Sequence, residues 1–202
     1  MKVLIACEFS GIVRDAFIAQ GHDAMSCDLL PTERPGPHYQ GDVFDVINDG
    51  WDLMVAHPPC TYLTYAANRY WNKPGRQESR QNAFEFFMAM INAPVEKLCV
   101  ENPVGYPNTV YRTPDQIVQP YYFGEPTLKT TCLWLKNLPK LYYQKQDGLF
   151  QKATVTEYPK PKYFRKTDGK AIHWTEANHG GKYRSKFWPG IAEAMAEQWG
   201  AL

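Results

Sequence analysis

The sequence has few cysteines, little net charge and no long apolar segment. Its five cysteines are odd in number and no two have CxxC spacing, which disfavours a disulfide framework and a zinc site. No stretch approaches the roughly 18 uninterrupted apolar residues that a membrane span requires, and the first apolar run reaches Glu8 too soon for a signal peptide. We therefore expect a cytoplasmic protein that holds no metal and has no membrane partner.

The composition is typical of a folded protein. Of the 202 residues, 44% are hydrophobic and 14% are aromatic, whereas disordered chains lack the large apolar side chains that offset the entropy lost on ordering. A chain of this length can form one packed core and is short for two full domains. We expect one domain with at most a small appendage.

The charges are unevenly distributed along the chain, although the net charge is only +1. Residues 128–190 contain 13 Lys or Arg and 4 Asp or Glu, a balance of +9, so the rest of the chain has a balance of −8. Aromatic residues such as Trp134 and Tyr163 lie among these cations, and that mixture is typical of surfaces that bind nucleic acid. Lysines also solubilise surface loops, so a solvated loop stays open as the alternative.

Apolar runs alternate with helical patterns along the chain. Four runs have the composition of buried strands, and each ends near a polar residue or a proline: KVLIAC, HDAMSCD, LMVA and EKLCV. Helical patterns follow the first run, span residues 76–92, and recur in the final PGIAEAMAEQWG. Two further runs, IVQPYYFG and TTCLWL, predict a hairpin that closes the sheet.

This order of elements predicts an α/β fold. We expect a Rossmann-like parallel sheet with helices on both faces and a small irregular insertion near the C-terminus. Ligands bind beyond the carboxyl ends of the strands in such sheets. Four polar residues lie at those ends and are the first to consider for chemistry: Glu8, Asp28, Cys60 and Glu101.

Three short segments stand at these strand ends in the order EFSG, HPPC and ENP. Together they resemble the cytosine carbon-5 DNA methyltransferase family, which has a glycine turn, a Pro-Cys dipeptide and a Glu-Asn dipeptide in this order around a Rossmann-like sheet. FGEPTLKT and FWPGIAEAMAEQWG are similar to later segments of that family. The resemblance covers nearly the whole chain except about 137–180, and it is to short members of the phage and prophage type.

The resemblance implies a domain organisation. Residues 1–136 and 181–202 would form the catalytic S-adenosylmethionine-dependent methyltransferase domain, and residues 137–180 a small basic insertion in place of the family's much longer target-recognition region. Reading a DNA groove specifically is hard with so short a segment. The specificity is therefore expected to be relaxed or to come from a protein partner, and a phage-encoded protein would act in the host cytoplasm.

The resemblance also implies the catalytic residues. Cys60 would add its thiolate to carbon-6 of the pyrimidine, because carbon-5 is too electron-poor to attack a methyl donor unaided. Glu101 would hydrogen-bond N3 and the exocyclic amine and deliver or hold a proton. Where the family usually has Gln-x-Arg-x-Arg, this chain has Thr127, Lys129 and Thr131, so Lys129 is the cation left to contact the pyrimidine O2.

The cofactor implied by the resemblance is S-adenosylmethionine. The turn after the first strand would approach its methionine part, Asp28 would accept the ribose hydroxyls, and Asp42 would receive the adenine amine. Each aspartate has an alternative role as a turn former. The expected cofactor-binding residues are Phe9, Ser10, Gly11, Asp28, Leu29, Asp42 and Pro58.

DNA is the expected partner, and base flipping is the route by which the target would reach the site. Residues 68–80 follow the cysteine where the family has a loop that closes over an extruded base, with Arg69, Tyr70 and Trp71 able to fill the gap or stack. An ordinary surface loop is the alternative. Near the end of the chain, NHGGKYRSKFWPG is suited to phosphate contact. The expected nucleic-acid-binding residues are Arg69, Lys182, Arg184 and Lys186.

Three other functions stay open. An amino-methyltransferase has an Asp/Asn-Pro-Pro-aromatic motif that HPPC resembles superficially, but His57 is a poor acceptor for an exocyclic amine and ENP would be unexplained. A methyltransferase acting on carbon-5 of free pyrimidine nucleotides would need only a small recognition segment. A catalytically inactive protein of the same fold could bind DNA without modifying it.

Overall fold

The computed structural model describes residues 1–143, 145–146, 152–153, 160, 163–165, 167–172 and 186–202. Within them the chain forms a seven-stranded, mostly parallel sheet flanked by helices, which confirms the predicted α/β class and is compatible with a Rossmann-like fold. The strands of this sheet are β1 Lys2–Ala6, β2 Asp23–Asp28, β3 His38–Gln40, β4 Leu53–Ala56, β5 Lys97–Asn102, β6 Gln116–Val118 and β7 Thr131–Lys136.

Four α-helices accompany the sheet in the part of the chain that the structure describes. They are α1 Ile12–Ala19, α2 Arg76–Ile91, α3 Tyr106–Val110 and α4 Pro189–Gly200. Short 3₁₀ helices span Val43–Asp45, Tyr65–Tyr70 and Pro120–Phe123. Two small antiparallel pairs lie outside the main sheet, Lys145–Gln146 with Lys152–Ala153 and Tyr163–Phe164 with Ala171–Ile172.

The strand order across the sheet is β3-β2-β1-β4-β5-β7-β6. Strands β1 to β5 are parallel to one another, and β7 is antiparallel to both of its neighbours. The order reverses between β1 and β4, and a doubly wound sheet opens a crevice for ligands at the carboxyl ends of the strands where such a reversal occurs.

Both faces of the sheet are covered, which explains the continuous apolar strands. On one face β1 packs against α1 and α4, whose Phe17 and Trp199 are fully buried. On the other face β4 and β5 share a buried cluster with Phe87 and Met90 of α2. A strand buried on both sides needs apolar side chains at successive positions, and β1 and β4 have them.

The structure adds one strand to the predicted sheet and ends another earlier than expected. The proline-rich stretch after β2 contains a third strand, β3, which pairs with β2 and is held by a 2.9 Å hydrogen bond between Ser26 Oγ and His38 Nδ1. The run IVQPYYFG is a strand only to Val118, because Pro120 begins a 3₁₀ helix. The expected hairpin does form, since Val118 pairs with Thr131 in an antiparallel ladder.

The region that we assign to the basic insertion, 137–180, begins with residues that pack on the main domain. Leu141 is buried in the core, and the Trp199 indole donates a 2.9 Å hydrogen bond to the Pro139 carbonyl. The Gln198 side chain accepts a hydrogen bond from the Tyr142 N–H and donates one to the Tyr142 carbonyl.

Among the described residues, no helix has both the length and the apolar character needed to cross a membrane.

Candidate functional site

The strand-order reversal brings two turns together, one after β1 and one after β4. In the first, the carboxylate of Glu8 is buried and accepts hydrogen bonds from the backbone N–H of Val13 at 2.8 Å and of Arg14 at 3.3 Å. It also accepts one from Ser10 Oγ at 2.9 Å. Gly11 allows this tight turn because its φ of 72° lies in the left-handed region. Glu8 therefore caps helix α1 with a negative charge.

The side chains beside this turn make the edge of the sheet acidic. Burial and the nearby carboxylates of Asp28 and Asp42 raise the pKa of the Cys7 thiol. Cys7 also has a φ of 60°, which is unusual for a residue other than glycine. We call Glu8, Asp28 and Asp42 the acidic edge, and it places a negative potential at the carboxyl ends of β1 and β2.

The two aspartates of the acidic edge both act as turn formers. Asp28 Oδ1 accepts from the Leu30 N–H at 2.9 Å, and Asp42 Oδ1 accepts from the Phe44 N–H at 3.0 Å. Each carboxylate has a second oxygen, so this role is compatible with ligand binding. Leu29 is 73% exposed and Phe44 is 48% exposed, which leaves apolar surface beside the two carboxylates.

The second turn carries Cys60. Strand β4 ends at Ala56, the His57 N–H still donates to the Ala6 carbonyl, and Pro58 then ends the ladder. The Cys60 carbonyl accepts hydrogen bonds from the N–H groups of Leu63 and Thr64, both at 3.0 Å, which closes the turn. Cys60 is exposed and is not in a disulfide.

The other four cysteines have suppressed reactivity. Burial raises the pKa of the Cys99 and Cys132 thiols, with a further contribution from the charge of Glu101. Burial and the charge of Asp28 raise the pKa of Cys27 to about 11, and Cys7 is raised likewise. Thiolates are the reactive form, so these four thiols are poor nucleophiles at neutral pH.

A third segment, after β5, is fastened to the Cys60 turn. The Asn102 side-chain amide donates a 2.7 Å hydrogen bond to the Pro58 carbonyl, in a buried position. Gly105 lies so close to the turn that a Cβ there would be 2.3 Å from the Leu63 carbonyl oxygen. The Tyr106 N–H donates to the same oxygen at 2.8 Å. These contacts hold the Glu-Asn-Pro and Pro-Pro-Cys segments together.

Glu101 stands beside the Cys60 turn at the end of β5. Ala56 of β4 pairs with Val100 of β5, so the next residues along the two parallel strands, His57 and Glu101, are neighbours. Glu101 is 9% exposed, and its Oε2 lies 3.2 Å from His57 Nδ1. The His57 ring packs against Phe187 with 4.7 Å between ring centroids. The carboxyl group therefore has a fixed position in a low-dielectric environment.

Lys129 belongs to the same edge of the sheet. Because β7 is antiparallel to β5, its first residues lie beside the end of β5, and Cys132 pairs with Asn102. Lys129, which is half-buried, precedes β7 by two residues. Thr131 is buried and its hydroxyl donates a 3.1 Å hydrogen bond to the Lys129 carbonyl. Thr131 therefore shapes the backbone here and presents no charge.

Exposed aromatic rings follow Cys60. Four of them are 38–40% exposed: Tyr62, Tyr65, Tyr70 and Trp71. We call these four residues the aromatic segment. Arg69 lies among them in the 3₁₀ helix Tyr65–Tyr70, and the predicted loop 68–80 becomes helix α2 from residue 76.

Two arginines of α2 support the aromatic segment. The Arg76 guanidinium lies 4.4 Å from the Tyr62 ring centroid, and that of Arg80 lies 4.4 Å from the Trp71 ring centroid. Arg80 Nε also donates a 3.0 Å hydrogen bond to the Tyr62 carbonyl. Both arginines are buried, so they fix the rings and leave little charge on the surface.

The basic residues expected to contact DNA differ in what the structure shows. Lys186 Nζ forms a 2.6 Å ion pair with Glu33, next to the turn after β1, since the Glu33 N–H donates to the Phe9 carbonyl. Lys182 and Arg184 lie outside the described residues. Of these three cations the structure describes Lys186, whose ion pair with Glu33 joins the segment before α4 to the loop after β2.

Sequence reasoning missed two features that shape this site. One is the contact of His57 with Glu101, which depends on strand order, and the other is the buried Arg14. The fully buried Arg14 donates hydrogen bonds to Ser26 and Thr32 side chains and to the carbonyls of Arg34 and Pro35. Gly11 and Gly36 both lie directly against this guanidinium. No local sequence pattern around Arg14 indicates that its side chain is buried, because most of these partners lie 12 to 22 residues further along the chain.

Comparisons with known proteins give no assignment. No protein-family model matches the chain, and no curated protein has significant similarity to it. The function of the site is therefore inferred from its geometry and chemistry.

Proposed function

We propose that the protein is an S-adenosylmethionine-dependent methyltransferase that acts on carbon-5 of cytosine in DNA. The observation that carries the proposal is the pairing of an exposed cysteine with a buried carboxylate at the ends of adjacent strands. Cys60 follows β4 and Glu101 is the last residue but one of β5, and the hydrogen bond from Asn102 to Pro58 fastens the two segments. Both stand beside the strand-order reversal, where ligands bind in sheets of this kind.

Cys60 is the nucleophile in this proposal. It is the exposed cysteine, while burial raises the pKa of the other four thiols. Addition of its thiolate to carbon-6 forms the S–C bond and makes carbon-5 electron-rich, which an unaided pyrimidine is not. Carbon-5 would then take the methyl group, with cleavage of the donor's S–CH₃ bond. Loss of the carbon-5 proton to solvent water would allow the bond between sulfur and carbon-6 to break and free the thiolate.

Glu101 handles the proton at N3. As the thiolate adds, negative charge develops on the ring, and a carboxyl group hydrogen-bonded to N3 can donate its proton there. The proton returns to the carboxylate when the S–C bond breaks. The burial of Glu101 supports this role, because a hydrogen bond is stronger where water is excluded.

The acidic edge fits a cationic cofactor. Rossmann-type sheets usually bind a pyrophosphate at the N-terminus of the first helix, but here the Glu8 carboxylate already occupies the N–H groups of Val13 and Arg14. A phosphate would meet a like charge, whereas a sulfonium would be attracted. When bound, S-adenosylmethionine supplies an electrophilic methyl group on that sulfonium.

Specific residues would hold the cofactor at this edge. Asp28 and Asp42 each keep one carboxylate oxygen beyond the turn hydrogen bond, which suits the ribose hydroxyls and the adenine amine respectively. The exposed Leu29 offers apolar surface to the adenine ring. The turn of Phe9, Ser10 and Gly11 and the carbonyl side of Pro58 would flank the methionine part.

DNA is the proposed substrate because of the aromatic segment. Exposed rings beside a nucleophile can stack on an extruded base or replace it in the duplex, and such stacking contributes ~1–3 kcal/mol per base. Lys129 at the same edge supplies a cation for the pyrimidine O2. The balance of +9 over residues 128–190 favours the phosphate backbone.

Trapping with 5-fluoro-2′-deoxycytidine DNA tests the proposal. Fluorine at carbon-5 cannot leave as a proton does, so in the presence of S-adenosylmethionine the protein should form an adduct that survives denaturation. Cys60→Ser should abolish the adduct and retain cofactor binding. Cys99→Ala, which alters a buried thiol, should retain the adduct. Absence of an adduct from wild-type protein that binds both DNA and cofactor would overturn the proposal.

Mass spectrometry of nucleosides from treated DNA separates the alternatives. The proposal predicts 5-methyl-2′-deoxycytidine. A methyl group on an exocyclic amine would indicate an amino-methyltransferase. Methylation of free dCMP at the same rate as DNA would indicate that the substrate is a free nucleotide. DNA binding with no product from any substrate would indicate an inactive protein.

A further inference from the structure

His57 and Glu101 form a buried pair that the sheet itself aligns. His57 follows β4 directly and its N–H donates to the Ala6 carbonyl, so its backbone is fixed on the β1 side. Glu101 belongs to β5, the neighbour of β4 on the other side. Two residues one step beyond a parallel pair project to the same side of the sheet. Their side-chain contact therefore follows from the strand register.

The imidazole ring is held from two directions. Its Nδ1 lies 3.2 Å from Glu101 Oε2, and the side chains of His57 and Glu101 are 9% and 12% exposed. The Phe187 ring packs against its face at 4.7 Å between centroids, tilted by 53°. A ring enclosed in this way keeps one orientation, which a histidine needs in order to position a neighbouring group.

The other ring nitrogen decides which tautomer the ring adopts. His57 Nε2 is buried and has no hydrogen-bond partner among the described residues. A buried N–H without an acceptor is rarer and less favourable than a buried acceptor without a donor. The neutral ring therefore carries its proton on Nδ1 and donates it to Glu101 Oε2.

We infer that His57 is a positioning residue that assigns the catalytic proton of Glu101 to Oε1. Oε2 accepts the Nδ1 proton whether the carboxyl group is ionised or protonated, so a proton bound by Glu101 resides on the other oxygen. That oxygen is then the one that donates to N3 of the pyrimidine. This inference rests on the proposed function, in which Glu101 delivers that proton.

Two substitutions distinguish the nitrogens of His57. The amide NH₂ of asparagine can take the place of Nδ1, whereas that of glutamine reaches the place of Nε2. We expect His57→Leu and His57→Gln to slow adduct formation with 5-fluoro-2′-deoxycytidine DNA by about 100-fold, since a misplaced catalytic group costs about that much. His57→Asn should recover most of the rate. The Kd for S-adenosylmethionine should change by less than about twofold in all three variants, which is within measurement error.

Two outcomes would overturn the inference. One is a His57→Leu variant that forms the adduct at the wild-type rate, and the other is a His57→Asn variant no faster than His57→Gln. Thermal unfolding of all three variants identifies any that fails to fold, and the comparison of asparagine with glutamine then decides, since both are polar and of similar size. A general packing role would not favour the shorter amide.

A second measurement needs no catalytic activity. ¹⁵N NMR of the imidazole in wild-type protein should show a protonated Nδ1 and an unprotonated Nε2, and Glu101→Gln should change that balance. A ring protonated on Nε2 alone would refute the inference while leaving the proposed function intact. If the wild-type protein forms no adduct, the proposed function fails, whatever tautomer His57 adopts.

Discussion

The side-chain amide of Asn102 reaches from β5 to the loop after β4 and donates a 2.7 Å hydrogen bond to the Pro58 carbonyl. Both partners are buried, and this bond fastens the segment that contains Glu101 to the turn that contains Cys60. The relative position of nucleophile and carboxyl group therefore depends in part on this amide.

Replacing Asn102 with aspartate should lower the stability and the rate together. A carboxylate oxygen facing the Pro58 carbonyl oxygen leaves two buried acceptors without a donor, which costs about 1–3 kcal/mol. We expect the urea midpoint to fall and adduct formation at Cys60 to slow. Asn48→Asp, at an exposed position, is the control and should change neither quantity. An unchanged adduct rate in Asn102→Asp would contradict the fastening role.

Gly105→Ala should disturb a second contact between the same two segments. The new Cβ would stand 2.3 Å from the Leu63 carbonyl oxygen, so one backbone must move, at an expected cost of about 1–3 kcal/mol. Gly50→Ala is the control: it has open space but a φ of 73°, so it should cost only about 1 kcal/mol of backbone strain and leave the adduct rate unchanged. Chemical unfolding and trapping kinetics on both variants measure the difference.

The buried thiols should make the protein less stable in alkali. Burial and the charge of Asp28 raise the pKa of Cys27 from 9.0 to about 11. Its contribution to stability is complete below the unfolded pKa and is lost as the pH rises through about 11, because the unfolded chain releases the proton first. We expect the unfolding free energy to fall between pH 9 and 11 by on the order of 1 kcal/mol.

A variant without this thiol checks the assignment. Cys27→Ala should show a smaller fall over the same pH range, because Cys7 and Cys99 still contribute. Urea unfolding at pH 9 and at pH 11 gives the comparison. A fall equal to that of the wild type would mean that Cys27 does not titrate as predicted.

Arg80→Lys should weaken DNA binding without affecting the cofactor. Lysine lacks the planar group that stacks on Trp71 and bonds to the Tyr62 carbonyl, so the aromatic segment loses its support. We expect the Kd for DNA to rise about tenfold, which corresponds to ~1.4 kcal/mol. Arg112→Lys is the matched control, because Arg112 also lies against a ring, that of Tyr111, but beside the far end of β7. Equal effects in the two variants would argue against a DNA contact here.

Most of the sheet could be predicted from apolar runs, because strands buried on both faces have a distinctive composition. Strand β3 could not, since His38–Gln40 is polar and short and is held by a hydrogen bond to Ser26 from twelve residues away. The end of β6 at Val118 was also missed, although Pro120 gave the local signal. Whether a short edge strand forms depends on its pairing partner, and the local sequence pattern does not show that partner.

The positions of Cys60 and Glu101 near the ends of β4 and β5 could be predicted from apolar runs that stop at polar residues and prolines. Their catalytic roles come from the family resemblance and stay predictions. For His57 the sequence indicated only a poor acceptor for an exocyclic amine, and its contact with Glu101 could not be predicted because it follows from β4 and β5 being neighbours. Arg14 and Arg80 have charged side chains, which predicts exposure to solvent. Both are buried, and each donates hydrogen bonds to loop carbonyl oxygens.

The guanidinium of Arg14 lies against both Gly11 and Gly36, which are 25 residues apart in the sequence. It is fully buried, and Cβ atoms at Gly11 or Gly36 would lie 2.5 Å and 2.7 Å from it. Substitutions at these positions therefore share a physical cause, and their free energies should not add. A smaller residue at 14 would remove the steric clash of alanine at 11 or 36 and leave only the strain of the positive φ, so the cost of each substitution depends on which residue occupies the other positions.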